Sequence, residues 1–400
     1  MHLRFAYIIV LSASAMLAPF AIDLYLPAFP AISAGFGTGI DEIEATVAIY
    51  LVGSAIGQIV LGPIADAYGR RRVLISGIAL FVVASLLLGA SKTLDEFYFW
   101  RFMQAIGGAG SVAVFPIVRD QFGPRDSPQV ISYMMAVIVI APIIAPVIGG
   151  YVLLFTNWRA IFGLIAVIGA AVLLSTLALI EENRVTVKTP KPLRIFSHYR
   201  AVFAEPRVCL SILTSGFAFG GLFAFVAGAP YVYISYFGIA AENFGYLFAL
   251  NAAAMIVANV VNGRLSLQRN PVKRVVAGAG GMLAAGGAIF FAAITGSNLF
   301  VVITFVIVFF FALAFVETNA LIIALSVRPD INGSVAAVNG AFQFGAGAIA
   351  SFLVSVFDAS SALPMAFVMA GSGALTFLAS LLLQRGGFLS RAASTCGADR

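Results

Sequence analysis

Long apolar runs separated by short polar breaks dominate the 400-residue chain. They fall near 5–33, 43–62, 73–91, 97–118, 129–154 and 158–180. After a polar stretch from Glu181 to about Pro206, they resume near 207–237, 242–263, 273–295, 298–326, 334–357 and 361–384. A helix rises ~1.5 Å per residue, so about 20 apolar residues cross the hydrocarbon core of a bilayer, and the longer runs fit tilted crossings. The pattern predicts an all-α membrane protein of twelve transmembrane helices. It divides into a first half over 1–180, a linker over 181–206, a second half over 207–385 and a tail over 386–400.

The first run has to be told apart from a secretory leader. His2-Leu3-Arg4, apolar Phe5–Leu11 and Ser12-Ala13-Ser14-Ala15 have the order of a leader and its cleavage site. The apolar run, however, continues past Phe20 and ends only near Pro30, which predicts a retained first span.

Composition agrees with the membrane reading. The chain is 61% hydrophobic and 10% charged, with a mean hydropathy of +1.03, whereas soluble domains carry about 25% charged residues. Charge placement then supplies orientation. With both termini inside, every Lys and Arg of the 23 except Lys92, Arg101 and Arg159 falls on the cytoplasmic side. The outer loops hold Asp41, Glu42, Glu44, Asp95, Glu96, Glu242 and Asp358 instead. Basic residues collect on the cytoplasmic face, and a wrong helix count would scramble this alternation. The net charge of +6 therefore reflects topology and calls for no nucleic acid. His2 and His198 are far apart and Cys209 and Cys396 are isolated, so the spacing offers no metal site, cofactor or disulfide and no support for an enzyme.

The loop Gly62-Pro63-Ile64-Ala65-Asp66-Ala67-Tyr68-Gly69-Arg70-Arg71-Arg72 predicts a sharp reversal at the inner face, with Gly62 and Gly69 suited to the turn. It resembles the Gly-x-x-x-Asp-x-x-Gly-Arg-Arg/Lys signature between helices 2 and 3 of the major facilitator superfamily. A weaker second copy, Gly263-Arg264-Leu265 through Arg269-Asn270-Pro271-Val272-Lys273-Arg274, lacks the Asp. Late prolines, Pro27 and Pro230, mark the first and seventh spans alike. Repeated halves around a central site are the usual build of secondary transporters, here two six-helix bundles.

Ionisable groups inside apolar helices are costly and therefore informative. Asp23 lies in Ala21-Ile22-Asp23-Leu24-Tyr25-Leu26-Pro27-Ala28, in the outer half of the first span. The string resembles the Asp-Met-Tyr-Leu-Pro-Ala motif of Bcr/CflA multidrug exporters, with Leu24 in place of Met. The resemblance implies a proton antiporter in which this Asp takes up and releases the coupling proton. Arg101 opens Arg101-Phe102-Met103-Gln104-Ala105-Ile106-Gly107-Gly108, which resembles the superfamily's Arg-x-x-Gln-Gly segment with the glycines delayed. Its depth matches that of Asp23, so it is expected either to reach that carboxylate or to snorkel outward. Glu317, eleven residues before Arg328, is expected near the bilayer centre. No family motif requires it, and a contact to cationic cargo, a second proton site and a structural group all remain open.

Ala141-Pro142-Ile143-Ile144-Ala145-Pro146-Val147-Ile148-Gly149-Gly150 resembles the Gly-x-x-x-Gly-Pro-x-x-Gly-Gly signature of facilitator antiporters, with alanine at two positions. Two prolines one turn apart predict a bend at Pro142 and Pro146, while Gly149 and Gly150 permit close packing. Ala249, Ala252, Ala253 and Ala254 of the eighth span offer a smooth partner. At the inner face, Asp66 is expected to act as a gate latch toward Asn332-Gly333-Ser334, and Arg70 to pair with Asp120. Candidate cargo contacts are Tyr25, Tyr50, Phe217, Phe223, Tyr231, Glu317 and Phe342, a set that suits weakly polar amphipathic molecules.

These features predict a proton-coupled antiporter of the bacterial cytoplasmic membrane that exports small amphipathic compounds, antibiotics among them. Its partners are the cargo, protons and the lipid bilayer. A metabolite exporter or proton symporter on the same fold is the nearest alternative, and a channel or membrane-embedded enzyme the more distant one. The identity of the cargo, the proton stoichiometry and the oligomeric state are not written in the sequence.

Overall fold

The computed structural model describes residues 2–138, 140–181, 200–265, 270–327, 332–357 and 361–396, and their regular structure is entirely helical. In chain order the helices are α1 (His2–Asp23), α2 (Phe29–Phe36), α3 (Ile40–Tyr68), α4 (Arg70–Ala90), α5 (Leu94–Ala109), α6 (Val114–Ile138) and α7 (Ala141–Phe155). They continue with α8 (Trp158–Leu179), α9 (Pro206–Pro230), α10 (Ala241–Leu265), α11 (Pro271–Thr295), α12 (Leu299–Val327), α13 (Asn332–Val356) and α14 (Leu363–Cys396). Among the described residues, eleven helical stretches are long and apolar enough to cross a membrane. Their outer faces are as apolar as their cores: Ile59, Leu86, Val167, Leu174, Phe291 and Ile349 are each more than half exposed. In water such a surface would aggregate, so the medium around these helices is lipid.

Local chemistry sets the helix ends. Thr93 caps α5 by accepting from the Glu96 N–H, and the Glu96 carboxylate accepts from the Lys92 N–H in return. Asn157 caps α8 through the Arg159 and Ala160 N–H groups. Asn270 caps α11 ahead of Pro271, a position where proline sacrifices no bond. Asp41 and Glu42 sit in the first turn of α3, and Glu242 in that of α10, where acids complement the helix dipole.

Two helices break where prolines fall. After Asp23, Pro27 has no N–H to continue the ladder, and the chain tightens into a 3-10 turn over Leu26–Ala28 before α2 resumes. After Pro230, α9 widens into a π-helical turn over Tyr231–Tyr236. The expected correspondence between the first and seventh spans therefore exists as a pair of backbone irregularities.

Two boundaries differ from the sequence reading. The reversal between α3 and α4 does not begin at Gly62: α3 stays helical through Pro63 to Tyr68, and only Gly69 breaks it, at φ 109° and ψ 128°. A proline in a membrane helix forfeits one backbone bond without ending the helix, so Gly62 is an ordinary helical residue. The fifth apolar run, expected as one helix over 129–154, consists instead of the end of α6 and a separate α7. Gly123, at φ 68°, separates this run from the fourth. Pro142 lacks the N–H that would continue α6, and the Ile143 and Ile144 N–H groups turn back to the Ile140 carbonyl.

The chain gathers into two compact units, one of Met1–Lys191 with Pro230–Ala249, the other of Pro192–Ala229 with Leu250–Arg400. In the first, α5 packs against α3 and α4, and α8 against α4. Gly107 makes this possible, since a Cβ there would come within 2.5 Å of the Phe81 backbone nitrogen. In the second, α11 packs against α12 and α14.

The reversal yields a direct test. Gly69→Ala forces a side chain into a strained backbone region at a cost of about 1–3 kcal/mol. Gly62→Ala adds a Cβ that meets nothing within 4 Å and favours helix by up to about 1 kcal/mol. Thermal unfolding of the purified protein in detergent is expected to give a lower midpoint for the first and an equal or higher midpoint for the second.

Candidate functional site

Asp23 ends α1, one residue before the helix breaks. It is buried, at 6% exposure, and its carboxylate has no hydrogen bond or ion pair among the described residues. Around it stands a polar cluster built on α5. Arg101, wholly buried, donates to the Gln104 side-chain oxygen at 2.6 Å and to the Ala21 carbonyl at 3.0 Å. Its guanidinium lies over the Tyr25 ring at 4.0 Å and the Tyr50 ring at 4.4 Å. Gln104 passes the network to Ser85 on α4 at 2.8 Å. Tyr25 bonds Thr46 on α3 at 2.8 Å, and Tyr50 reaches the Ala18 carbonyl at 3.4 Å.

Arg101 thus does not snorkel. Nor does it pair with Asp23 in this conformation: it grips the backbone two residues before Asp23 and the ring two residues after it. Its Nε–H is buried and unpartnered. The cluster can hold a cation beside a lone carboxylate without neutralising that carboxylate, because carbonyl, amide and two ring faces carry the charge. Ser85 and Thr46 were not singled out from the sequence, whereas Gln104 is the glutamine of the segment that Arg101 opens and stands three residues from it on one helix face. Glu44, counted among outer-loop acids, is also buried, at 2% exposure.

The Ala141–Gly150 motif, on α7, meets this break directly. A Cβ on Gly149 would lie 1.8 Å from the Leu24 carbonyl oxygen, so α7 touches the backbone beside Asp23 at a distance only glycine allows. Gly150 abuts Ala241 and Glu242, Gly245 abuts Pro146 and Val147, and Tyr151 bonds Tyr246 at 2.8 Å. The eighth span is the partner expected for this motif, with Gly245 making the close approach. Pro142 lies in the first turn of α7 and Pro146 within it.

After the reversal between α3 and α4, Arg70 bonds the Asp120 carboxylate at 2.5 Å and the Pro116 carbonyl at 3.3 Å. Arg71 donates to the Leu177 and Ile180 carbonyls at the end of α8, where a cation suits the helix dipole. The side chains of Asp66 and Asn332 lie outside the described residues, as do Arg328, Asp358 and residues 182–199 of the linker. In the second unit Arg274 is buried and donates to the Asn262 side chain at 3.0 Å, while Asn319 bonds the same oxygen at 2.9 Å.

Also in the second unit, Glu317 accepts from Ser215 at 2.9 Å and from Gln343 at 2.6 Å. Phe217 and Phe342 pack edge to face with centroids 6.3 Å apart, and Phe223 stacks with Phe219 and Phe344. Tyr231 starts the π-helical turn. Tyr25 and Tyr50 are committed to Arg101. Among the described residues no three His, Cys, Asp or Glu side chains gather closely enough to hold a metal.

Comparison with known proteins adds the relatives. The family model described as Major Facilitator Superfamily matches residues 11–351. A Haemophilus influenzae protein named bicyclomycin resistance protein homolog is 30% identical over 97% of this chain and 98% of its own length. A multidrug resistance protein of Escherichia coli, MdtL, is 28% identical over 63% of this chain and 64% of its own. Among solved structures, a D-xylose–proton symporter superposes with a TM-score of 0.79 at 15% identity, covering 95% of this chain and 97% of that one. A nucleoside transporter, NupG, gives 0.77 at 12% identity over 95% of this chain and 99% of that one.

The Arg101 cluster depends on a planar fork between two rings. Arg101→Lys keeps the charge but cannot hold Gln104 and the Ala21 carbonyl while covering both tyrosines. A loss of about 2–3 kcal/mol is expected from hydrogen bonds to a buried charge, read as a lowered unfolding midpoint in detergent. An unchanged midpoint would mean the fork is dispensable to the fold.

Proposed function

The chain belongs to the Major Facilitator Superfamily, and from that membership we propose that it is a proton-coupled antiporter exporting small amphipathic compounds, antibiotics among them, by alternating access. It is a multi-pass protein of the bacterial inner membrane. The observation that carries the reading is Asp23, a buried carboxylate with no partner among the described residues, set at a helix break inside an apolar span. A structural carboxylate in such a place would be bonded or paired. One left free for a proton is suited to coupling. The names of the Haemophilus and Escherichia relatives, resistance to bicyclomycin and to multiple drugs, support export of antibiotics.

In this scheme Asp23 takes a proton when the site faces outward and cargo leaves, and releases it when the site faces inward and new cargo binds. Arg101 positions Asp23 by holding Ala21 and Tyr25 on either side of it. The Gly149 contact with Leu24 carries motion of α7 to the same backbone. Phe217, Phe223, Tyr231 and Phe342 contribute cargo contacts, Tyr25 and Tyr50 being held by Arg101 instead, and Asp66, Gly69, Arg70 and Asp120 form the inner gate. The twelfth crossing is assigned to the run from 124 to 155, whose two pieces are each too short to span alone. Both termini are assigned to the cytoplasm from the distribution of Lys and Arg. Six-helix bundles over 1–180 and 207–385, the linker between them and a cytoplasmic tail complete the proposal. No catalytic role follows from any of these groups.

The test is transport by purified protein in liposomes under an imposed pH gradient, with compounds chosen by screening resistance in a hypersusceptible strain. Asp23→Asn is expected to lose gradient-driven export by at least about tenfold, the range of one lost essential interaction of ~1.4 kcal/mol or more, while still exchanging cargo down its own gradient. Full active export by this variant would refute the coupling role, and uptake in place of export would refute the direction.

A further inference from the structure

The second unit holds an ionisable group that the coupling scheme does not use. Glu317 on α12 is gripped from two other helices. Ser215 on α9 donates to its Oε2 at 2.9 Å, Gln343 on α13 donates to the same oxygen at 2.6 Å, and Gln343 also bonds Ser215 at 2.8 Å. Its other oxygen, Oε1, is buried and has no partner. The two donors are neutral, and no ion pair to Glu317 is present among the described residues.

A structural carboxylate would spread its bonds over both oxygens, since leaving one buried acceptor unmade costs about 1–3 kcal/mol, more for a charged group. Here donors from two helices fix Oε2 and leave Oε1 without a bond. Its surroundings are aromatic. Phe342, next in sequence to Gln343, lies against Gly216, where a Cβ would fall 2.1 Å from the ring, and Phe217 meets its edge. The α13 segment 341–346 is half-buried at every position, and Phe342 within it also packs against the cluster of Val208, Ile212, Ala324 and Val335. A neutral donor at Oε1 would satisfy the lone pair but not the charge, whereas an ammonium satisfies both, and a nearby ring face adds attraction for a cation.

We propose that Glu317, held by Ser215 and Gln343, is a recognition point for the protonated amine of a cationic amphiphilic cargo, with Phe217 and Phe342 receiving its apolar part. The proposal rests on the export reading for its cargo but not on Asp23 or on proton coupling. It names a substrate class within the broader amphipathic set.

The probe is chlorpromazine, a tertiary amine protonated at neutral pH, with its quaternary methiodide as the analogue lacking an N–H. Equilibrium binding is measured to the full chain in lipid nanodiscs, against empty nanodiscs. Glu317→Gln keeps shape and removes charge. It is expected to weaken chlorpromazine binding by about 10–100-fold, the range of a hydrogen bond to a charged group, with the unfolding midpoint close to that of the parent. The methiodide is expected to lose less. Ser215→Ala, which frees the carboxylate from one of its two donors, is expected to weaken chlorpromazine several-fold.

Binding of chlorpromazine by Glu317→Gln within twofold of the parent would overturn the proposal, as would failure of the parent to bind it. If Glu317→Gln does not fold, Glu317→Asp decides, because it keeps the charge. Retained preference for the tertiary amine supports the site, and equal loss of both probes rejects it. A parent that binds chlorpromazine through Glu317 yet moves nothing under a pH gradient would sink the export reading and leave the recognition site standing.

Discussion

A guanidinium removed from water must find its partners within the protein, and Arg101 organises the first unit by drawing them from three helices and two rings, with only its Nε–H left unpartnered. Its bonds run to the end of α1 and to Gln104, and through Gln104 to α4, while Tyr25 and Tyr50 bring α1's continuation and α3 against its faces. None of these partners is a carboxylate. That choice has a chemical consequence: a buried salt bridge would tie the charge state of Asp23 to the integrity of the fold, because breaking such a pair costs about 3–5 kcal/mol. Dipoles and ring faces bear the cation at any protonation state of Asp23. The carboxylate can then gain or lose a proton without dismantling the cluster beside it.

Much of this was legible in the sequence because bilayer physics leaves few alternatives. Apolar run length and the placement of Lys and Arg outline the spans, and Asp23, Arg101 and the glycine pair Gly149–Gly150 stand out as exceptions to those rules. The pairing of Arg70 with Asp120 and the eighth span as partner to Gly149–Gly150 were also within reach. What stayed hidden depends on three-dimensional choice among equivalent options. Whether Arg101 turns to a carboxylate, to solvent or to two rings cannot be read from its depth alone, since each fits its length. Gly62 looked like a turn because glycine permits one, yet permission is not requirement, and only Gly69 has the backbone angles that demand it. Ser215 and Gln343, 128 residues apart, meet at Glu317 through packing that no local pattern encodes.

The two halves also diverge in an instructive way. Where the first uses a partly exposed ion pair, Arg70 with Asp120, the second buries Arg274 against Asn262 and ties Asn319 to the same oxygen. An amide bonds a cation at modest strength and stays neutral, whereas an exposed ion pair is screened and exchanges with water readily. A buried amide network suits a fixed anchor, and a partly exposed ion pair suits a contact that opens and closes.

The contrast between Asp23 and Glu317 follows the same reasoning. Both are carboxylates in apolar spans, but the protein treats their oxygens differently. Asp23 has no donor among the described residues and sits beside a backbone break, with Gly149 close against Leu24, so small movements of α7 alter its surroundings. Glu317 is clamped at one oxygen by two donors from two helices, so its orientation is set before anything arrives. A group that must change state benefits from an environment that moves. A group that must recognise benefits from one that does not, because preorganised contacts lose less entropy on binding. Assigning the proton to Asp23 and the cargo's amine to Glu317 therefore gives each carboxylate the task its surroundings fit, with Asp23 in the first unit and Glu317 in the second.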